Sequence, residues 1–181
     1  MIYLPGNWYI QFYNKFVERD NNVNAQDLLR LALEHEKTYQ FPSFERDDVW
    51  ELGCDLVESC KEYDGPLAVE IDISGVMVFR YYPSGTGAFH EMWLERKRKT
   101  VNLLEKSSLR VSAELKTTGQ TLEKDMLLNP MEYADCGGGF PLRIKNGCIF
   151  GFVGVSGLAD MVEHAALIGG LQRFFRRHGY L

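Results

Sequence analysis

Two glycine-rich segments near the carboxyl end constrain the fold more than any other part of the chain. Three glycines at residues 137–139 precede Phe140-Pro141-Leu142, and a second run, residues 148–155, is apolar at nearly every position. Glycine lacks a Cβ and permits positive φ, so the triplet indicates a kinked entry into a strand. Asn146-Gly147 between the runs is typical of a type I′ hairpin turn, in which both central residues have positive φ. The second run is expected to be buried on both faces.

This second run ends at Ser156-Gly157, where a helix is expected to begin near Leu158. Serine is a favoured helix cap, and we therefore predict that Ser156 caps the closing helix. The free backbone N–H groups at such a helix start could also receive an anion.

The order GGGFPL, then NG, then GFVGVSG before a helix resembles the GlcG/HbpS-like family, whose members are described as haem-degrading or haem-binding domains. Residues 93–101 with Ser107-Ser108 resemble that family's Lys-x-x-Thr helix, and Glu163-His164 falls where the family often has an acidic residue. The resemblance extends from about residue 66 to about residue 171. It implies an α+β fold with a profilin-like antiparallel β-sheet flanked by α-helices. It also implies symmetric homo-oligomers and haem as a possible cofactor.

The apolar pattern of the rest of the chain is consistent with a single hydrophobic core. Apolar periodicity predicts helices at residues 25–36, after Ser43, around Trp93, at 122–128 and at about 158–177, with a hairpin of residues 67–73 and 76–82 about Ser74-Gly75. We divide the chain into an N-terminal helical extension, residues 1–40, packed on a GlcG/HbpS-like domain, residues 41–181.

Composition excludes several classes of protein. The formal charge of −5 and pI near 5.4 argue against a nucleic-acid binder. The absence of an 18-residue apolar stretch argues against a membrane protein, and the first six residues do not resemble a secretion signal, which favours a cytoplasmic location. The four cysteines, at positions 54, 60, 136 and 148, lack metal-site spacing and are expected to be buried reduced thiols.

His164 is the first candidate for chemistry. A neutral imidazole can ligate haem iron or a divalent metal, and the neighbouring Glu163 could orient it. The alternative is a buried histidine that is hydrogen-bonded to a backbone carbonyl or to a neighbouring subunit. No second matching ligand supports a metal site, and no covalent haem-attachment motif is present. His35, His90 and His178 are expected to be solvated.

Arg96 and Lys97 are the second candidates, within a run of four cations at residues 96–99. At 100° per residue only one or two of the four can point inward, and Lys97 falls on the apolar row between Trp93 and Val101. An inward cation there could hold a carboxylate or phosphate. The alternative is a solvated face whose side-chain stems cover aromatic surface.

No nucleophile arrangement is evident, and whether the protein is an enzyme stays open. Two functions remain. In one, His164, Lys97, Arg96, Ser156, Gly157 and Glu163 converge on a site for haem or another planar anionic small molecule. In the other, the protein is a non-catalytic oligomeric adaptor with a vestigial pocket. Apolar side chains in the terminal segments favour a homo-oligomer under either reading: Trp8, Phe12, Phe16, Phe174 and Phe175.

Overall fold

A computed structural model describes residues 24–181, which contain five α-helices and five β-strands. In chain order these elements are α1 (Ala25–Thr38), β1 (Gln40–Phe41), α2 (Asp48–Cys60), β2 (Ala68–Ile73), β3 (Val76–Tyr81), α3 (Ala88–Leu104), α4 (Ser108–Thr118), β4 (Gly139–Ile144), β5 (Ile149–Ser156) and α5 (Asp160–Arg177). No helix in this range is long and apolar enough to cross a membrane.

The strands form one sheet in the order β1-β4-β5-β2-β3. The β4–β5, β5–β2 and β2–β3 pairs are antiparallel, and β1 adds two residues parallel to β4 at one edge. The predicted α+β fold, an antiparallel sheet flanked by helices, is therefore confirmed. The β2–β3 hairpin turns at Ser74-Gly75, as predicted.

Helices cover both faces of the sheet because β5 is apolar on both sides. Val153 and Val155 lie in the main core with residues of α2 and α5. On the opposite face, a Cβ added to Gly154 would lie 2.7 Å from Leu94 of α3. The prediction that residues 148–155 are buried on both faces therefore holds for the carboxyl half of β5, from Gly151 onward.

Two local predictions are wrong. The β4–β5 turn is not type I′: Gly147 N donates to Ile144 O at 2.8 Å, so the central residues are Lys145 and Asn146, and only Asn146 has positive φ. Residues 122–128 form turns instead of a helix, and Leu127, at φ 56°, has a left-handed conformation that ends any helical run.

α1 packs mainly on α4, through its buried residues Leu28 and Ala32. Glu36 of α1 fixes the start of α4, since its carboxylate accepts from Ser107 N at 2.7 Å and pairs with Arg110 at 2.9 Å. A carboxylate at a helix start also stabilises the helix dipole.

Two expectations about surface residues need correction. Phe174 and Phe175 are each 1% exposed and belong to the main core, so they supply no surface for assembly. The four cysteines are free, as predicted, but Cys148 in the β4–β5 turn is exposed and only Cys60 is fully buried. Trp8, Phe12 and Phe16 lie outside the described residues.

Candidate functional site

Phe89, Trp93 and Lys97 lie on one face of α3, because residues four apart in a helix are neighbours on its surface. Trp93 and Phe89 contact each other edge to face, with ring centroids 6.4 Å apart. Lys97 is only 1% exposed although it is a lysine. This confirms that Lys97 belongs to the apolar row of the helix.

The ammonium of Lys97 has two partners in the interior. It donates to Val155 O of β5 at 3.0 Å and forms an ion pair with Glu163 Oε2. Glu163 comes from the first turn of α5, and its other oxygen accepts from Gly157 N at 2.6 Å and from Leu158 N at 3.2 Å. Glu163 thus receives three donors, and loss of either charged partner would leave the other charge buried and uncompensated.

The glycine triplet makes room for this pair. Gly138 has φ +96°, and a Cβ there would lie 2.6 Å from Val155 O and 2.8 Å from Lys97 Nζ. A Cβ on Gly139 would lie 3.1 Å from the Cβ of Lys97. The absent side chains therefore let α3 approach the sheet closely enough for Lys97 to reach Glu163.

A cavity of about 370 Å³ lies beside this ion pair, and we call it the aromatic cavity. Its lining residues come from the start of α3, the end of β5, the start of α5 and the segment before β4: Phe89, His90, Trp93, Lys97, Cys136, Ser156, Gly157, Leu158, Asp160 and Glu163. Such a volume lies within the range of small-molecule sites.

The charges of the aromatic cavity favour ligands that are not anions. Asp160 and Glu163 carry two negative charges against the single positive charge of Lys97. Burial raises the pKa of the Cys136 thiol to about 11, so it is protonated at neutral pH and is a poor metal ligand. His90 Nδ1 accepts a hydrogen bond from Gly87 N at 3.1 Å. Among residues 24–181, no group of three or more His, Cys, Asp or Glu side chains could hold a metal ion.

His164 does not line the aromatic cavity. It is fully buried, and its Nε2 lies 3.1 Å from His35 Nδ1 of α1, with the two rings stacked at 5.3 Å. Its Nδ1 has no hydrogen-bond partner within the described part of the chain. Burial, with smaller contributions from His35 and Lys97, lowers the pKa of His164 well below its usual value. The expectation that His35 is solvated is wrong, since it is 7% exposed and burial lowers its pKa to about 4.

Arg96 also lies away from the aromatic cavity. Its guanidinium stacks on Trp93 at 4.0 Å and donates to the carbonyls of Pro130 and Tyr133, which anchors the segment before β4. Successive residues of a helix are about 100° apart around its axis, so Arg96 and Lys97 lie on different faces of α3.

The structure therefore brings together four of the six predicted residues: Lys97, Ser156, Gly157 and Glu163. Ser156 lines the cavity but does not cap a helix, because β5 extends through Ser156 and α5 begins at Asp160 after Ala159. The amides of Gly157 and Leu158, expected to be free for an anion, already donate to Glu163.

Sequence reasoning missed several lining residues: Phe89, His90, Cys136, Leu158, Asp160 and, as a site residue, Trp93. The four-residue spacing of Phe89, Trp93 and Lys97 was a signal that could have identified the aromatic wall. No comparable local signal marked Cys136, which reaches the cavity from an irregular segment.

The site lies within a region that is similar to known proteins. Residues 44–172 match the family model described as haem degrading protein HbpS-like. A UPF0303 protein of Streptomyces coelicolor is 33% identical over 78% of this chain and 89% of its own length. A UPF0303 protein of Yersinia enterocolitica is 33% identical over 84% of this chain and 90% of its own.

Solved structures share the fold at lower identity. The crystal structure of the Ybr137w protein has a TM-score of 0.79 and 21% identity, and the match covers 98% of this chain and 99% of that one. A complex of PduOC with haem has a TM-score of 0.61 and 18% identity, covering 72% of this chain and 94% of that one. The HbpS crystal structure has a TM-score of 0.57 and 18% identity, covering 74% and 92%.

Proposed function

Because the chain belongs to the HbpS-like family of haem-degrading proteins, we propose that it binds a flat, largely apolar small molecule in the aromatic cavity, with haem as the first candidate. The observation that carries this proposal is the wall formed by Phe89 and Trp93 beside His90. Phe89 is 66% exposed, a large apolar area to leave in water unless a ligand or partner covers it.

Haem requires an apolar surface for its ring and a nitrogen or sulfur ligand for its iron. Phe89 and Trp93 suit the ring, and a PduOC–haem complex occurs among the proteins of similar fold. When bound, haem would supply an iron centre that a nitrogen ligand of the protein could hold. His90 is the only imidazole among the described residues that line the cavity, and it would hold the iron through Nε2.

Two features limit how tightly the cavity would hold haem. The proton of neutral His90 lies on Nε2 while Nδ1 accepts from Gly87 N, so ligation would require loss of that hydrogen bond, about 0.5–1.5 kcal/mol. The cavity also offers no unpaired cation for the propionates, because Lys97 is paired with Glu163. We therefore expect haem binding to depend on the contacts of its ring with Phe89 and Trp93 and on ligation of its iron by His90.

Titration of the purified protein with haem, followed by absorption in the Soret region, tests this function. We expect saturable binding to the native protein, a loss of the ligated spectrum in His90→Ala, and weaker binding in Phe89→Ala. Metal-free protoporphyrin separates the two contributions, because His90→Ala should leave its binding unchanged while Phe89→Ala should weaken it.

His178→Ala is the matched control, since His178 lies at the end of α5, where it contacts Glu51 and Phe174 instead of the cavity. Equal loss of haem binding in His178→Ala and His90→Ala, or absence of saturable binding of both porphyrins, would contradict the proposal.

A second candidate function, assembly into a homo-oligomer, is supported by large apolar side chains on the surface. Trp50, Leu127 and Met131 are 70%, 86% and 74% exposed. Sedimentation velocity at micromolar concentration should show a species larger than the 20.8 kDa chain, and a single species of that mass would exclude assembly. The cytoplasmic location stays a prediction.

A further inference from the structure

Glu163 determines which ligand charge the aromatic cavity can accept. Three donors surround its carboxylate, namely the ammonium of Lys97 and the amides of Gly157 and Leu158, and the aromatic cavity lies on the remaining side. An ammonium with two backbone amides is the donor set by which proteins recognise a carboxylate. The chain fills this donor set with its own side chain.

Because the Glu163 carboxylate already accepts from these donors, they cannot bind a second anion. Lys97 is 1% exposed and Glu163 is 5% exposed, so water screens their interaction poorly. A ligand carboxylate at this position would meet the negative charge of Glu163 and that of Asp160, with only one ammonium to balance them.

We propose that Glu163 is a specificity-determining residue that excludes a carboxylate from the floor of the aromatic cavity and favours a neutral edge of a flat molecule there. Haem meets this requirement when its apolar edge enters first, because both of its propionates lie on the opposite edge. This inference rests on the proposed function, because it assumes that flat molecules bind there. The donors expected to receive an anion exist, and Glu163 occupies them. Removal of the Glu163 carboxylate converts the cavity into a carboxylate site.

Two probes with the same naphthalene ring test the inference: 2-naphthol, neutral at pH 7, and 2-naphthoate, which carries a carboxylate. Their binding is measured by fluorescence titration to the native protein, Glu163→Ala and Glu163→Gln. Glu163→Ala vacates the donors completely. Glu163→Gln keeps the side-chain volume and removes only the charge, so it remains informative if Glu163→Ala does not fold.

The native protein is expected to bind 2-naphthol about tenfold or more tightly than 2-naphthoate. The carboxylate of 2-naphthoate would meet the negative charges of Glu163 and Asp160 and would lack the charge-assisted hydrogen bonds that Glu163 already occupies. The affinity for 2-naphthoate is expected to rise about tenfold in Glu163→Ala and by a smaller factor in Glu163→Gln, whose amide oxygen still accepts from the backbone amides while Lys97 loses its counter-charge. The affinity for 2-naphthol is expected to change less than that for 2-naphthoate. Asp160→Asn is the matched control because it removes the same charge from the cavity lining without freeing the donors, and its gain for 2-naphthoate is expected to be smaller.

Three results would overturn the inference. Native protein that binds 2-naphthoate as tightly as 2-naphthol contradicts the exclusion directly. Variants that bind 2-naphthol without gaining affinity for 2-naphthoate, or an equal gain in Asp160→Asn, exclude Glu163 as the determinant while leaving the proposed function intact. Failure of both probes to bind any of the proteins overturns the proposed function and this inference with it.

Discussion

His35 Nδ1 and His164 Nε2 lie 3.1 Å apart in the protein interior, and this contact joins α1 to the helix that carries Glu163. One nitrogen must donate and the other accept, so the pair is satisfied only while at least one imidazole is neutral. Burial lowers the pKa of both histidines, to about 4 for His35.

Acid should therefore weaken the fold. The pKa of His35 in the folded state lies below its usual value of 6.5, so the unfolded chain binds more protons between these two values. The contribution of neutral His35 to the free energy of unfolding is fully present above about pH 6.5. It declines as the pH falls towards 4, by roughly 3 kcal/mol for a pKa shift of this size. His164 acts in the same direction.

Urea unfolding of the native protein and of His35→Leu at pH 7 and pH 4.5 measures this contribution. The native protein should lose more stability between the two pH values than the variant does. His90→Ala, outside the pair, should behave like the native protein, whereas an identical pH dependence in His35→Leu would contradict the prediction.

Substitution of Gly138 or Gly154 by valine should destabilise the protein by at least about 1–3 kcal/mol, the range for overpacked sites. A Cβ at Gly154 would lie 2.5 Å from Phe152, and Gly138 has φ +96°, which β-branched residues resist. Thermal denaturation provides the measurement. Gly87→Ala is the control, since nothing lies within 4 Å of its added Cβ. Native-like melting of both valine variants would show that close packing is not required there.

Glu36→Ala should destabilise the protein by about 1–3 kcal/mol, because it removes the acceptor of Ser107 N and the ion pair with Arg110. Glu34→Ala, at an exposed position on the same helix, should change stability by less than about 0.5 kcal/mol. Denaturant unfolding compares the two. Equal effects would mean that the Glu36 contacts contribute nothing specific.

Thiol reactivity should differ sharply among the four cysteines. Cys148 is exposed, whereas Cys60 is buried and burial raises the pKa of its thiol to about 12. A disulfide reagent should modify Cys148 first, and Cys148→Ser should abolish the fast phase. A fast phase that persists in this variant would identify another accessible thiol. Occupation of the aromatic cavity should further slow the reaction of Cys136.

Local periodicity was sufficient to predict α1, the β2–β3 hairpin and the inward position of Lys97, since each depends on residues a few positions apart. It could not predict that His35 meets His164, which lies 129 residues later in the chain. The charge pattern around residues 96–99 likewise did not show that Arg96 would bind backbone carbonyls of a distant segment.

The segment of residues 156–158, which precedes α5, shows a second limit of prediction from sequence. Serine is a favoured helix cap, but Ser156 pairs with Ala68 of β2, and this pairing extends β5 through it. The amides of Gly157 and Leu158 then donate to Glu163 from the first turn of α5, whose other carboxylate oxygen pairs with Lys97. The local sequence predicted the backbone amides as donors, but it did not predict that Glu163 would accept from them.

The signals of Trp93 and Trp50 report directly on whether flat molecules bind in the aromatic cavity. Trp93 lines this cavity, whereas Trp50 of α2 contacts Phe79 of β3 and is not among the lining residues. Their indole N–H signals can be assigned by Trp→Phe variants in a two-dimensional ¹H–¹⁵N spectrum and followed as 2-naphthol is added. We expect a saturable shift of Trp93, accompanied by a shift of the amide of Gly157, while the signal of Trp50 stays unchanged. A saturable shift of Trp50 with Trp93 unmoved, or no shift of either signal, would contradict this expectation.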